Sequence, residues 1–208
     1  MDIAAIAARA PVIPVLTVER VADAVPLARA LVAGGLPVLE VTLRTPAALD
    51  VVAAIDAGVP GAIVGAGTVL DAGQAVAARR AGARFGVSPG CTPTLIEATR
   101  SAGLSLLPGV QTVSEAMVLA EQGFRLLKFF PAEPSGGIGW LKSVAAPLPG
   151  LRFCPTGGIS AGTAQAYLSL PNVACVGGSW VAPREAVVSG DWAAIERLAA
   201  AASRLNVR

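Results

Sequence analysis

The sequence predicts an α/β protein, a closed (β/α)8 TIM barrel in a single domain spanning residues 1–208. Three observations point there. Eight short β-branched or aromatic apolar runs recur roughly every 20 to 28 residues along the chain. Stretches with helical spacing lie between them and tend to finish in glycine, as helix C-termini do. Eight strand-then-helix units are also the number that closes a parallel sheet on itself. An open doubly wound sheet is the weaker choice, because no G-x-G-x-x-G turn follows the first run.

The elements follow in order. Residues 1–10 form a brief lead-in, expected to be helical. The first run is VIPVL from Val12, and VERVADAVPLARALVAGG after it has helical spacing with a glycine end. Next come PVLEVTL from Pro37, AIVGAG from Ala62, ARFGVSPG from Ala83 and SLLPGV from Ser105. SEAMVLAEQG is the helical stretch before the sixth run, FRLLKFFP from Phe124. RFCPTGG from Arg152 and VACVGGSW from Val173 complete the set. In a barrel of this kind the active site lies where the strands end and the βα loops begin, so chemistry is sought at the right-hand end of each run.

Composition narrows that chemistry. Of the 208 residues, 54% are hydrophobic and 14% charged, yet no apolar run reaches the ~18 to 20 residues of a membrane span. The N-terminus lacks a basic segment ahead of an apolar one, so the expected location is the cytoplasm. A formal charge of +2 without a basic cluster argues against a nucleic-acid partner. Three widely separated cysteines make neither a disulfide framework nor a zinc knot. Histidine is absent, which removes the commonest general base and the commonest metal ligand together. Acid–base work falls to carboxylates, lysine, Tyr167 or water.

Two runs carry an unusual pattern. In VLEVTLRT, Leu39, Val41 and Leu43 alternate with Glu40, Thr42 and Arg44. Strand faces alternate with period two, and helices cover the outside of a barrel, so the polar set is expected to point inward. In RLLKFFPAE, residues 125–133, the same sorting sends Leu126, Lys128 and Phe130 inward. Lysine occurs only here and at Lys142. A buried ammonium is costly unless paired or neutralised. One reading of Lys128 is a structural ion pair with Glu40. The other is a desolvated amine that can shed its proton and attack a carbonyl, which a guanidinium does not do. Schiff-base chemistry also needs a proton carrier, for which Glu40 is the candidate and Glu133 the runner-up. Arg44, nearer the mouth, offers a fork of donors for a carboxylate.

The last two runs end in CPTGGIS and VGGSW, where paired glycines let backbone N–H groups approach an anion. Thr156 and Ser179 add hydroxyls there. GAGT, SPG and LPG are other strand-end loops that can simply turn the chain, although Thr68 brings a donor to the mouth.

Taken in order and spacing, LEVTLRT, VGAGTV, SPG, LPGV, KFFPAE, FCPTGGIS and GGSW resemble the 2-dehydro-3-deoxy-6-phosphogluconate (KDPG) aldolases, which overlap with 4-hydroxy-2-oxoglutarate (KHG) aldolases. The resemblance runs from about residue 11 to 191. It implies a class I aldolase on a (β/α)8 barrel, homotrimeric and without a metal or other cofactor. The substrate it implies is a phosphorylated 2-keto acid, cleaved to pyruvate and glyceraldehyde 3-phosphate in the Entner–Doudoroff pathway. By motif, Lys128 forms the Schiff base, Glu40 moves protons and Arg44 contacts the pyruvate carboxylate. Thr68, Pro89, Phe130 and Thr156 line the pyruvyl pocket, and Gly157, Gly158, Gly178 and Ser179 match the phosphate-binding loops. Two alternatives stay open at this point. One is an aldolase for the C4 epimer, 2-dehydro-3-deoxy-6-phosphogalactonate. The other is a barrel that binds a phosphorylated ligand without an imine.

Overall fold

The computed structural model describes residues 2–207; Met1 and Arg208, the ends of the expected domain, lie outside the described residues. Nine strands fall inside the eight runs: β1 (Val12–Leu16), β2 (Val38–Thr42), β3 (Ile63–Gly67), β4 (Phe85–Val87), β5 (Ser105–Leu107), β6 (Gly109–Val110), β7 (Leu126–Phe129), β8 (Arg152–Pro155) and β9 (Val176–Gly178). The early helices are α1 (Ile3–Ala7), α2 (Val21–Ala33), α3 (Ala48–Gly58), α4 (Ala72–Arg80) and α5 (Pro93–Ser101). The later ones are α6 (Val113–Glu121), α7 (Gly137–Ala145), α8 (Ala164–Leu168), α9 (Arg184–Ser189) and α10 (Trp192–Ser203). The helical lead-in is thus α1.

Local chemistry explains several boundaries. Asp71, Thr92 and Asp191 each accept a backbone N–H of the first turn of α4, α5 and α10. Thr112 and Glu115 close a full capping box on α6. The glycine ends of the two quoted helical stretches, Gly35 and Gly123, sit at φ +90° and +91°, where a side chain would be strained.

The strands are parallel but do not form one continuous hydrogen-bonded sheet. Six of them curl in the order β5-β4-β3-β2-β1-β9, and β6-β7-β8 form a second sheet. The fifth run splits because Pro108 has no N–H for the ladder; its carbonyl still accepts from Lys128 N at 2.8 Å. On the other side, β8 meets the eighth run through two isolated parallel pairs, Phe153 with Val173 and Thr156 with Gly177.

The expected alternation of faces holds within β2 and β7. Leu39, Val41, Leu127 and Phe129 join the large core between sheet and helices. Ile13, Val38, Phe85, Leu126 and Cys154 form a separate inner cluster with Ile3 and Ile6 of α1, which plug its base. Burying such aliphatic side chains contributes about 1.5–3 kcal/mol each. Outward Phe129 stacks on Trp140 of α7, ring centroids 4.2 Å apart, and Trp140 meets Phe153 edge-on. These contacts fix β7, and with it the inward side chains. No helix among the described residues is long and apolar enough to cross a membrane.

Candidate active site

Glu40 and Lys128 stand one pleat repeat beyond Val38 and Leu126, so the apolar inner cluster is their floor. Lys128 is 5% exposed and Glu40 3%. Lys128 Nζ lies 3.4 Å from Glu40 Oε1 and 5.0 Å from the centroid of the Phe130 ring. Among the described residues Glu40 is its one ion-pair partner. Gly67 makes this packing possible: a Cβ there would overlap the Glu40 carboxylate. The other lysine, Lys142, is an exposed residue of α7.

The neighbouring positions form the rim. Thr42 is fully buried and donates to Leu16 O at 2.9 Å, with Thr17 Oγ1 3.1 Å away. Strand β2 stops at Thr42, so Arg44 is not an inward strand residue as alternation suggested. It is exposed beyond the strand end, where Nε donates to Thr68 Oγ1 at 3.2 Å. That bond is made by a threonine in the left-handed region, φ +59°, a conformation that costs of order 1–3 kcal/mol. Arg44 has no carboxylate partner within 4 Å among the described residues, which leaves most of its fork unused. Pro89 follows β4, and its carbonyl packs against Gly109 so closely that a Cβ there would overlap it. Phe130 is half-buried at the end of β7.

Thr156 is buried and paired with Gly177, whose missing side chain gives it room. Gly157 and Gly158 follow with φ +103° and +82°, and a Cβ on Gly157 would lie 3.4 Å from the Phe130 ring. The first glycine loop therefore runs beside Phe130. Gly178 is buried in β9 against the Trp180 ring, and Ser179 is exposed. Ser179 borders a cavity of about 630 Å³ that Val15 and Thr17 also line. The helices beyond these loops, α8 and α9, have five and six residues. Backbone N–H groups of the loops, more than a long helix dipole, are what they offer an anion.

Glu133 is not beside Lys128. Its carboxylate accepts the Tyr167 hydroxyl at 2.5 Å. Sequence reasoning named Tyr167 only as a possible acid–base group, not as a partner of Glu133, and missed Thr17, Gly67 and Gly177. The two glycines had one signal, their place at strand ends next to Thr68 and Gly178; the Tyr167–Glu133 pairing had none. Among the described residues no cluster of His, Cys, Asp or Glu is placed to hold a metal.

A buried amine and carboxylate on parallel strands, below a rim of donors at the strand ends, define a class of site. It suits an amine meeting a carbonyl compound, with a proton carrier in contact. The comparisons with known proteins agree. Residues 3–198 match the family model "KDPG and KHG aldolase", and the chain belongs to that family. It is 54% identical to a 2-dehydro-3-deoxy-phosphogluconate aldolase of Pseudoalteromonas atlantica, over 91% of this chain and 88% of the relative. It is 50% identical to the KHG/KDPG aldolase of Escherichia coli K12, over 91% and 89%. Among solved structures, a KDPG aldolase from Legionella pneumophila holds pyruvate captured as a covalent carbinolamine. It superposes with a TM-score of 0.94 at 47% identity, covering 96% of this chain and 97% of that one. The Zymomonas mobilis enzyme with 3-phosphoglycerate gives 0.93 at 48%, covering 99% and 97%. A structure described as native KDPGal is more distant, 0.81 at 27%, covering 92% and 91%. The protein is thus an aldolase, a carbon–carbon lyase.

Proposed function

We propose that this chain is a Schiff-base aldolase that cleaves 2-dehydro-3-deoxy-6-phosphogluconate to pyruvate and D-glyceraldehyde 3-phosphate, with 4-hydroxy-2-oxoglutarate as a second substrate. The observation that carries the reading is the buried Lys128–Glu40 pair, with Lys128 next to the last residue of β7 and Glu40 at the middle of β2. Glu40 takes a proton from the Lys128 ammonium, and the free amine attacks C2 of the keto acid. Glu40 returns that proton to the carbinolamine hydroxyl, which leaves as water to give an iminium, and the carboxylate is restored. Glu40 then removes the C4 hydroxyl proton, the C3–C4 bond breaks to release the aldehyde, and its electron pair flows into the iminium to form an enamine. Protonation at C3 and hydrolysis release pyruvate and restore the amine. The iminium is the electron sink, so no step is assigned to a metal or cofactor.

Arg44 anchors the substrate carboxylate by its free donors. Thr68, Pro89, Phe130 and Thr156 enclose the pyruvyl group, and the loops bearing Gly157, Gly158, Gly178 and Ser179 hold the phosphate. Similarity favours the gluconate over its C4 epimer, since the Legionella and Pseudoalteromonas KDPG aldolases are 47% and 54% identical and the KDPGal structure 27%. We read residues 1–208 as one domain and the two sheets as one closed eight-stranded wall. The pairs Phe153–Val173 and Thr156–Gly177 support closure on one side and the shared β5–Pro108–β6 run on the other. Three free thiols accord with a cytoplasmic enzyme.

Borohydride reduction in the presence of pyruvate, followed by peptide mapping, is expected to place a stable adduct on Lys128. No adduct, or one on Lys142, removes the assignment. A coupled assay of pyruvate release from the gluconate and its C4 epimer decides the substrate, with the gluconate faster.

A further inference from the structure

Glu133 and Tyr167 take no part in this bond-breaking chemistry, although the structure ties them closely to the first glycine loop. Glu133 N donates to Gly157 O at 3.0 Å, and one residue earlier Ala132 N donates to Thr156 O at 2.8 Å. The loop after β7 therefore runs alongside the loop after β8. A Cβ on Gly158 would lie 2.6 Å from Glu133 Cβ, and one on Gly137 would lie 2.7 Å from the Tyr167 hydroxyl. Both positions have positive φ, so side chains are excluded there by conformation as well as by space. Three backbones thus converge on one hydrogen bond, from Tyr167 of α8 to the Glu133 carboxylate. The segment from Gly157 to Tyr167 begins and ends on Glu133, once at its backbone N–H and once at its side chain.

We propose that Glu133 and Tyr167 are positioning residues, a clasp that holds residues 157–167 in the shape in which the Gly157–Gly158 backbone binds the substrate phosphate. Neither group touches the reacting carbons. The Tyr167 side chain is buried, and burial, followed by the Glu133 carboxylate, pushes its hydroxyl well above the usual phenol range. It stays a donor at any pH at which the enzyme works. Glu133, committed as its acceptor, is unsuited to the proton transfers given to Glu40. A hydrogen bond to a charged acceptor is among the stronger single contacts, and a loop released at one end would meet the phosphate with its N–H groups no longer aligned.

The inference rests on the phosphate reading of that loop, and the experiment separates the two. Three quantities are measured on the full-length protein: the KM and kcat for the phosphorylated keto acid, competitive inhibition by inorganic phosphate, and exchange of the pyruvate methyl protons with solvent deuterium. Exchange needs the imine and a proton carrier but no phosphate site. In Tyr167→Phe, KM and the inhibition constant of phosphate are expected to rise about five- to twenty-fold, while exchange stays within about two-fold. Glu133→Ala should behave alike, and Glu133→Gln, whose amide oxygen still accepts from Tyr167, should recover most of the affinity. Unchanged KM and phosphate inhibition in Tyr167→Phe overturn the clasp, as does an equal loss of exchange and cleavage. If Tyr167→Phe does not fold, Glu133→Ala against Glu133→Gln decides on the same terms, because Glu133 is exposed. Wild-type protein that neither exchanges pyruvate nor responds to phosphate instead defeats the functional reading itself.

Discussion

At the scale of single residues, the site depends as much on missing side chains as on present ones. Glu40 can face Lys128 because Gly67, on the adjacent strand, has no Cβ to oppose the carboxylate. Gly67→Ala is expected to push Glu40 off its position. Overpacking of this kind costs typically ~1–3 kcal/mol, and displacing the proton carrier from a near-attack geometry costs on the order of 10²-fold in rate. The check is kcat measured beside thermal unfolding, with kcat falling far more than the melting temperature accounts for. A rate loss that stability alone explains would contradict it. Of the three free thiols, Cys91 is the one not fully buried, yet burial pushes it up to about 11 from an ordinary 9.0, partly offset by a backbone hydrogen bond with Thr92. Only about one part in a thousand is then thiolate at pH 8, so alkylation by iodoacetamide should be slow there and accelerate steadily toward pH 11. Rapid labelling at pH 8 would show that the thiol is not desolvated.

At the scale of elements, Lys128 and Glu40 were legible because alternation works wherever both strand faces are buried. Leu127 and Phe129 had to go under helices, which left Lys128 one direction to point. The same rule failed at Arg44 because it holds only while the strand lasts, and β2 ends two residues earlier. Helix caps were legible in part: the glycine ends of α2 and α6 take the left-handed conformation their sequences suggested. The fifth run shows the opposite limit. It reads as one strand, but Pro108 removes one ladder donor and the run serves two sheets. Long-range pairings such as Tyr167 with Glu133, 34 positions apart, leave no periodic trace at all. No spacing rule connects a residue in one βα loop with a helix beyond the next strand, which is why Glu133 looked like a spare base.

At the scale of the whole molecule, the composition bears on assembly. Only 14% of residues are charged while 54% are hydrophobic, and the two cores do not absorb all of the excess. Leu70, Met117, Val118 and Val188 are each more than half exposed. Apolar side chains left on the outside of a charge-poor protein favour subunit contact, and the family resemblance makes the expected particle a homotrimer. A ring of three is heterologous: each chain presents one patch to one neighbour and a different patch to the other, so the assembly closes only with the third subunit. Two-chain species should therefore be poorly populated between monomer and trimer. Sedimentation velocity at micromolar concentration is expected to show one boundary with the mass of three chains, passing on dilution to monomer without a stable dimer. A clean monomer at that concentration, or a dimer that persists through the titration, would mean that the exposed apolar residues do not build a three-fold interface.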